Sequence, residues 1–291
     1  MTSLTRVWLQ HLLPKALFSR AVYRLARSEH PVVKSTMIRW FARTYGVDLD
    51  EAEPSDLAAY PTLNAFFTRA LKPGMRPLAG DEDTVVSPAD GFLSEFGTIT
   101  AGHLLQAKGM RYRLEELLVE DPASLTRFEG GSFLTVYLAP PNYHRVHVPI
   151  AGALTRTAYV PGERFSVSVV TAGAIGRLFC RNERVVCWLD TAVGPVAIVL
   201  VGALNVSSIT TINLGEIKSG TARTWREREP LPLARGAELG RFNLGSTVVL
   251  LFGRGAVRWD AGLAAGARLR MGEPLGRLAR DASGARSESA P

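Results

Sequence analysis

At 291 residues with 46% hydrophobic side chains, the chain can bury a substantial core, which excludes a disordered protein. Its formal charge of +7 resides at one end: residues 1–47 carry eight Lys/Arg (Arg6, Lys15, Arg20, Arg24, Arg27, Lys34, Arg39, Arg43) against Glu29 alone, leaving 26 charges of each sign on the other 244 residues. A basic terminus on a neutral body calls for an anionic partner, and the Trp8, Leu12, Leu13, Phe18, Tyr23 and Trp40 of this segment favour an acidic membrane surface over nucleic acid.

Within that segment Leu17, Ala21 and Leu25, then Val33, Met37, Trp40 and Phe41, recur at helical spacing with basic residues between them. Residues 1–47 are therefore expected to form amphipathic helices at a membrane interface, with residues 48–291 as the body. The longest apolar run, Val196 to Leu204, is too short to span a bilayer, and no uninterrupted signal-peptide core leads to a cleavage site. The expected location is peripheral, on the cytoplasmic face of the cell membrane.

Asp48–Pro61 reads as a connector, followed by a short helix from Leu63 that Pro73-Gly74 ends. Beyond it, short strands broken by Gly, Pro and Asp are predicted at Thr84–Ser87, Phe92–Phe96, Phe133–Leu138, Arg145–Val148, Leu154–Tyr159, Arg184–Asp190, Val196–Ala203 and Thr247–Phe252. One helix, Leu114–Val119, interrupts them. The fold class is α+β, a predominantly antiparallel β-sandwich or barrel body with amphipathic N-terminal helices. Arg235–Phe242 echoes Met271–Leu278, as though one hairpin unit recurred around the strand at 247–252, and both read as Gly-rich turns of the sandwich or barrel. A hairpin Leu178–Asp190 turning at Asn182-Glu183 is expected to set Cys180 opposite Val185 and Cys187 opposite Leu178, leaving two free thiols. The tail from Asp281 has the composition of a disordered segment.

Three places carry candidate chemistry. In Leu244-Gly245-Ser246-Thr247 a hydroxyl follows a glycine carbonyl at the mouth of an apolar run; it reads either as a turn into a core strand or as a serine able to attack the preceding peptide bond. Ser87-Pro88-Ala89-Asp90-Gly91 is a tight turn presenting an acid. Tyr143-His144-Arg145-Val146-His147 holds two of the five histidines. No metal site is expected there, because neighbouring Cys or His ligands are lacking. Asp90, His147 and Ser246 have the residue types of a charge relay, the His taking the hydroxyl proton and the Asp holding its tautomer.

Asn64-x-Phe66-Phe67-x-Arg69-x-Leu71-Lys72-Pro73-Gly74-x-Arg76-Pro77, Pro88-Ala89-Asp90-Gly91, Tyr143-His144-Arg145-x-His147-x-Pro149, Phe179-x-Arg181-Asn182-Glu183-Arg184 and Gly240-x-Phe242-x-Leu244-Gly245-Ser246-Thr247 together resemble bacterial phosphatidylserine decarboxylase. The resemblance implies a pyruvoyl-dependent enzyme, made as a proenzyme, that converts phosphatidylserine to phosphatidylethanolamine. It implies Asp90, His147 and Ser246 as the self-processing triad and cleavage between Gly245 and Ser246. The products are a β chain 1–245 and an α chain 246–291 that begins with a covalent pyruvoyl group made from Ser246, which forms a Schiff base with the substrate. His144 matches a further motif histidine, a candidate proton donor or carboxylate contact, or a residue that only orders its loop. A homodimer is a family expectation. Relatives often carry Asn at the position of Ser168, so the contacts of Ser166 and Ser168 stay open. A Ser hydrolase fits less well, since the G-x-S-x-G elbow is absent, and a non-catalytic membrane adaptor leaves the polar motifs without a purpose.

Overall fold

The computed structural model describes residues 15–106, 108–204 and 208–279. The expectations for Trp8, Leu12 and Leu13, for the side chains of Leu17, Phe18 and Arg20, and for the tail from Asp281 lie outside the described residues. Two helices lead the described chain, α1 (Lys15–Ala26) and α2 (Pro31–Tyr45). Pro31 occupies the first turn of α2, where no backbone donor is needed. Gly46, in the left-handed region at φ 61°, returns its N–H to the Ala42 carbonyl and ends the helix. The predicted apolar stripe divides between two surroundings. Phe41 is buried, Val33 and Met37 are half-buried, and Leu25 and Trp40 are 50% and 56% exposed; outside that stripe, Ile38 and Ala42 are buried and Val32 is 67% exposed.

The body is built of short antiparallel strands. In order they are β1 (Ala52–Glu53), helix α3 (Leu63–Phe67), β2 (Ala70–Leu71), β3 (Thr84–Val86), β4 (Gly91–Thr98), β5 (His103–Leu105) and β6 (Arg111–Arg113). Helices α4 (Leu114–Leu118) and α5 (Pro122–Leu125) precede β7 (Gly131–Leu138), β8 (Arg145–His147) and β9 (Gly152–Val160). Helices α6 (Val169–Ala172) and α7 (Leu178–Arg181) lead to β10 (Arg184–Thr191), β11 (Gly194–Gly202), β12 (Ser208–Thr211), β13 (Gly215–Lys218) and β14 (Arg223–Leu233). Last come β15 (Glu238–Asn243), β16 (Ser246–Arg254), β17 (Val257–Trp259), β18 (Arg268–Leu269) and β19 (Pro274–Leu278).

One sheet has the order β14-β9-β10-β11-β16-β7-β4-β18, a second β13-β12-β15-β8 and a third β17-β19-β3. They are not closed into a barrel, and the architecture is a sandwich-like α+β fold. The central strands of the large sheet are covered on both faces, which is why Val248–Phe252 and Val196–Val201 read as unbroken apolar runs rather than alternating ones. A second, separate core joins Ile38, Phe41 and Ala42 of α2 to Tyr60, to Leu63, Phe66 and Phe67 of α3, and to Leu244. Among the described residues, Leu244 is the one buried member of this core from the last third of the chain.

The internal echo corresponds to a repeated turn and strand. Gly236 and Gly272 both adopt left-handed φ (79° and 89°) just before β15 and β19. Their N–H groups donate to Val148 and Ser87, immediately after β8 and β3. The two units are then cross-linked, Val86 N–H to the Pro149 carbonyl and His147 N–H to the Pro88 carbonyl at 2.7 Å. This exchange lays the Pro88–Gly91 turn beside the Tyr143–Val148 segment.

The hairpin expected over Leu178–Asp190 does not form. Leu178–Arg181 is helix α7, and β10 pairs instead with β9 and β11. The reason lies in Arg184, a fully buried guanidinium that donates to the carbonyls of Glu116, Leu117, Cys180 and Asn182. It satisfies the free carbonyls at the ends of α4 and α7, so Leu178-Phe179-Cys180 is buried as a helical turn. Cys187 lies opposite Ile198 and Thr157 rather than Leu178, and both cysteines are free.

Candidate active site

The Leu244-Gly245 link is where the chain leaves the second sheet and enters the first. Both residues are in the left-handed region, at φ 82° and 77°. For glycine this is costless, but a side-chain-bearing residue loses about 1–2 kcal/mol there. Leu244 is held by burial: its side chain sits in the α2/α3 core with Phe41, Phe66 and Phe67. On one side of the link, Asn243 donates to Ser208 Oγ (2.8 Å) and Thr210 Oγ1 (3.1 Å) and accepts from Asn64 Nδ2 (3.1 Å). On the other, Ser246 pairs with Gly202 and Leu138 at the head of β16. The Ser246 hydroxyl is wholly buried and has no hydrogen-bond partner among the described residues. A buried hydroxyl normally finds one.

Asn182 braces the strand that faces Ser246. Its Nδ2 donates to the Gly202 carbonyl (2.9 Å) and the Phe165 carbonyl (2.8 Å), and its Oδ1 accepts from Phe165 N (3.0 Å). The Phe179–Arg184 motif is thus a pair of clamps, Arg184 on helix ends and Asn182 on the Phe165 loop. Ser168, in that loop, bonds Thr171 Oγ1 and caps the turn that follows.

Asp90 is buried, but it does not touch His147. Arg76 grips both of its oxygens (Nε to Oδ1 2.8 Å, Nη2 to Oδ2 2.6 Å), and Met271 N–H donates to Oδ1 at 2.8 Å. Arg76 also reaches Glu51 at 2.6 Å. Against the opposing effect of burial, these two carboxylates raise the pKa of Arg76 above arginine's usual value.

His147 lies opposite Glu238, and His144 O accepts from Phe242 N. His147 is therefore at the end of β15 away from the Leu244-Gly245 link, five residues or roughly 17 Å along an extended strand from Asn243. His147 Nδ1 faces the Gly236 carbonyl at 2.8 Å and must donate to it, so Nε2 bears the lone pair that accepts from Tyr143 Oη at 3.0 Å. Burial first of all keeps this imidazole below its ordinary pKa. The tautomer-holding role expected of Asp90 thus belongs to Gly236, and among the described residues no hydrogen bond joins Asp90, His147 and Ser246 into a relay. Backbone pairing brings Asp90 and His147 into one neighbourhood.

His144 is the histidine on the side of the link. Its ring stacks on Phe67 at 3.9 Å, within the same apolar surroundings that hold Leu244. Nδ1 donates to the Asn142 carbonyl at 2.8 Å, and Nε2, fully buried, has no partner among the described residues. Burial pushes its pKa down to about 3, so it is a neutral imidazole with an available lone pair. Among the described residues no group of three or more His, Cys, Asp or Glu gathers as for a metal.

Compared with known families, residues 63–277 match the model described as Phosphatidylserine decarboxylase. The chain belongs to the phosphatidylserine decarboxylase family. That match takes in Asp90, His144, His147, Gly245 and Ser246, and a second model, described as PSD, matches residues 5–46, which include all of α1 and α2. Among curated relatives, the chain is 50% identical to a phosphatidylserine decarboxylase proenzyme of Azotobacter vinelandii, over 92% of this chain and 96% of that one. It is 48% identical to the proenzyme of Methylococcus capsulatus, over 92% and 94%, and 49% identical to that of Pseudomonas fluorescens, over 92% and 95%. For this phosphatidylserine decarboxylase family member, the motif residues whose jobs could not be read from spacing are Arg76, Tyr143, Asn182 and Arg184. Arg76, Asn182 and Arg184 have partners in other motifs or elements, and Tyr143 meets His147 only because the fold turns the two rings together.

Proposed function

We propose that the chain is a proenzyme that cuts its own Gly245–Ser246 bond and then decarboxylates phosphatidylserine to phosphatidylethanolamine. The observation that carries this reading is the Ser246 hydroxyl, buried without a partner among the described residues, directly after two left-handed residues. Ser246 Oγ attacks the Gly245 carbonyl carbon while its proton passes to the departing amide nitrogen; the peptide C–N bond breaks, leaving an ester and a free amine on residue 246. Elimination across the Cα–Cβ bond of residue 246 releases the Gly245 carboxylate and so the chain 1–245. Hydrolytic loss of the nitrogen as ammonia leaves a pyruvoyl group at the head of 246–291. That group supplies a ketone that captures the substrate amine and draws off electrons as carbon dioxide leaves.

The site fits such a group: the atom it is built from is enclosed at a strand head, Gly245 leaves open space with only Ala203 Cβ near, and Asn182 braces the facing strand. His144 is the proton carrier in this proposal. Its bare Nε2 takes a proton from the substrate ammonium and returns it to the carbon that has lost carbon dioxide. Asp90 and His147 act as positioning residues: the Asp90–Arg76–Met271 and His147–Gly236–Tyr143 contacts lock the two echo units on which β15 and the scissile link are carried. The membrane-facing part of the proposal rests on α1 and α2, where Leu25, Val32 and Trp40 share an exposed surface with Arg24, Arg39 and Arg43. This suits a peripheral protein on an anionic cytoplasmic leaflet; no described helix is long and apolar enough to cross a membrane.

The direct test is incubation of purified protein with vesicles containing carboxyl-labelled phosphatidylserine. Labelled carbon dioxide and phosphatidylethanolamine should appear together, and neither should appear with Ser246→Ala. Release of label by Ser246→Ala, or none by the processed protein, contradicts the proposal.

A further inference from the structure

A cavity of about 310 Å³ opens between the end of α2 and the Asp90 turn, lined among others by Tyr45, Glu51, Arg69, Arg76, Asp90 and Arg268. Its charges do not cancel evenly. Arg76 is matched by Asp90 and Glu51, and Arg270 adds a longer contact to Glu51 at 3.4 Å. Asp48, at the rim, is exposed and accepts from Asp50 N–H. Arg69 is different. It is 4% exposed, makes no ion pair among the described residues, and uses only Nη2, which donates to the Pro141 carbonyl at 2.9 Å. Its Nε and Nη1 are buried with no acceptor among the described residues. Burial pulls its pKa below arginine's usual value, yet a guanidinium stays charged in proteins. A buried cation with unfilled donors is among the costliest features a fold can keep, and it marks a place built for an anion.

We propose that Arg69, with Arg268 at the mouth, forms a subsite for the phosphodiester of a glycerophospholipid head group. The inference rests on the decarboxylase reading, and that reading selects between the two anions such a substrate carries. The carboxylate is the group that departs as neutral carbon dioxide, and pairing it with a buried guanidinium would stabilise the ground state against the reaction. The phosphodiester keeps its charge throughout, so binding it holds the substrate without opposing the chemistry. The place is also right for a lipid: the cavity is bounded by Tyr45, the last residue of α2, whose ring meets exposed Trp40 edge-on at 6.2 Å. Arg69 further lies over the face of Phe66, which packs against Phe41 of the same helix.

The test is calorimetric binding to full-length Ser246→Ala protein, which needs no activity, with soluble glycerophosphoserine, glycerophosphoethanolamine and inorganic phosphate as probes. Both diesters should bind alike, since both carry the phosphodiester and only one the carboxylate, and phosphate should bind at least tenfold more weakly. Arg69→Gln and, as a surface variant that spares the core, Arg268→Gln should each weaken both diesters, Arg69→Gln by tenfold or more, with the same variants raising KM rather than lowering kcat in processed enzyme. Equal diester affinity in both variants overturns the subsite, as does binding only to glycerophosphoserine, or tighter binding of inorganic phosphate. Arginine-dependent diester binding by a protein that releases no carbon dioxide would leave the subsite standing and remove the decarboxylase reading; decarboxylation with diester binding indifferent to both arginines would do the reverse.

Discussion

Replacing Gly245 by alanine isolates the backbone contribution to self-cleavage. A Cβ added at Gly245 meets only Ala203 Cβ, at 3.8 Å, an ordinary contact, so the substitution introduces no clash. What it changes is the preference of a residue held at φ 77°, a conformation that costs an L side chain about 1–2 kcal/mol. That cost falls on the geometry that presents the Gly245 carbonyl to Ser246 Oγ. If the strained link is the reactive conformation, populating it becomes about 5–30-fold rarer, and cleavage slows by the same factor. The assay is the conversion of freshly synthesised precursor to two chains, followed on gels over time. Gly255→Ala is the control: Gly255 has φ 69° and nothing within 4 Å, at the far end of β16, so it should lose similar stability and cut at the normal rate. Normal cleavage by Gly245→Ala, or equal slowing in both variants, would refute the reasoning.

The buried histidines make stability depend on pH. A folded-state pKa of about 3 for His144, below the ordinary 6.5, gives stability that is complete above pH 6.5 and is lost as pH falls toward 3. At pH 5 this amounts to roughly 2 kcal/mol from His144, with His147 acting in the same direction, and chemical denaturation of His144→Gln at pH 7 and pH 5 should show a smaller loss than the parent. Asn182→Ala removes three buried hydrogen bonds, to the Phe165 N–H and to the Phe165 and Gly202 carbonyls, and should lower unfolding free energy by about 3 kcal/mol in urea titrations; a loss below 1 kcal/mol would mean the clamp is slack. Exposed Arg39 and Arg43 should together contribute about 2 kcal/mol to binding of anionic vesicles, so their double alanine variant should bind roughly thirtyfold more weakly in sedimentation assays, with unchanged melting. Unchanged binding would remove α2 from the membrane contact.

Local pattern made much of the fold legible. Apolar β-branched runs such as Val248–Phe252 and Val185–Leu189 became strands within a few residues of expectation, because their composition and their bounding glycines act over short range. The Met271–Leu278 echo was visible because two left-handed glycines recur at the same offset. What stayed hidden were long-range polar debts. Leu178-Phe179-Cys180 reads as strand until Arg184 is seen capping two helix ends. The Asp-His-Ser order suggested a relay, but Asp90 is claimed by Arg76 and Met271, and His147 by Gly236 and Tyr143, none of which residue type or order reveals. Leu244 looked like the flank of a turn; only the fold places it in the core of the N-terminal helices, where its left-handed backbone is held.

The central claim is that Ser246 attacks Gly245 and the chain divides there. Intact mass spectrometry of the purified, denatured protein tests it most directly. Two polypeptides are expected, residues 1–245 and a 46-residue fragment, residues 246–291, whose first residue has a mass short of serine and reacts as a ketone. A single chain of 291 residues with an unmodified Ser246, in a preparation that nevertheless decarboxylates phosphatidylserine, would contradict it.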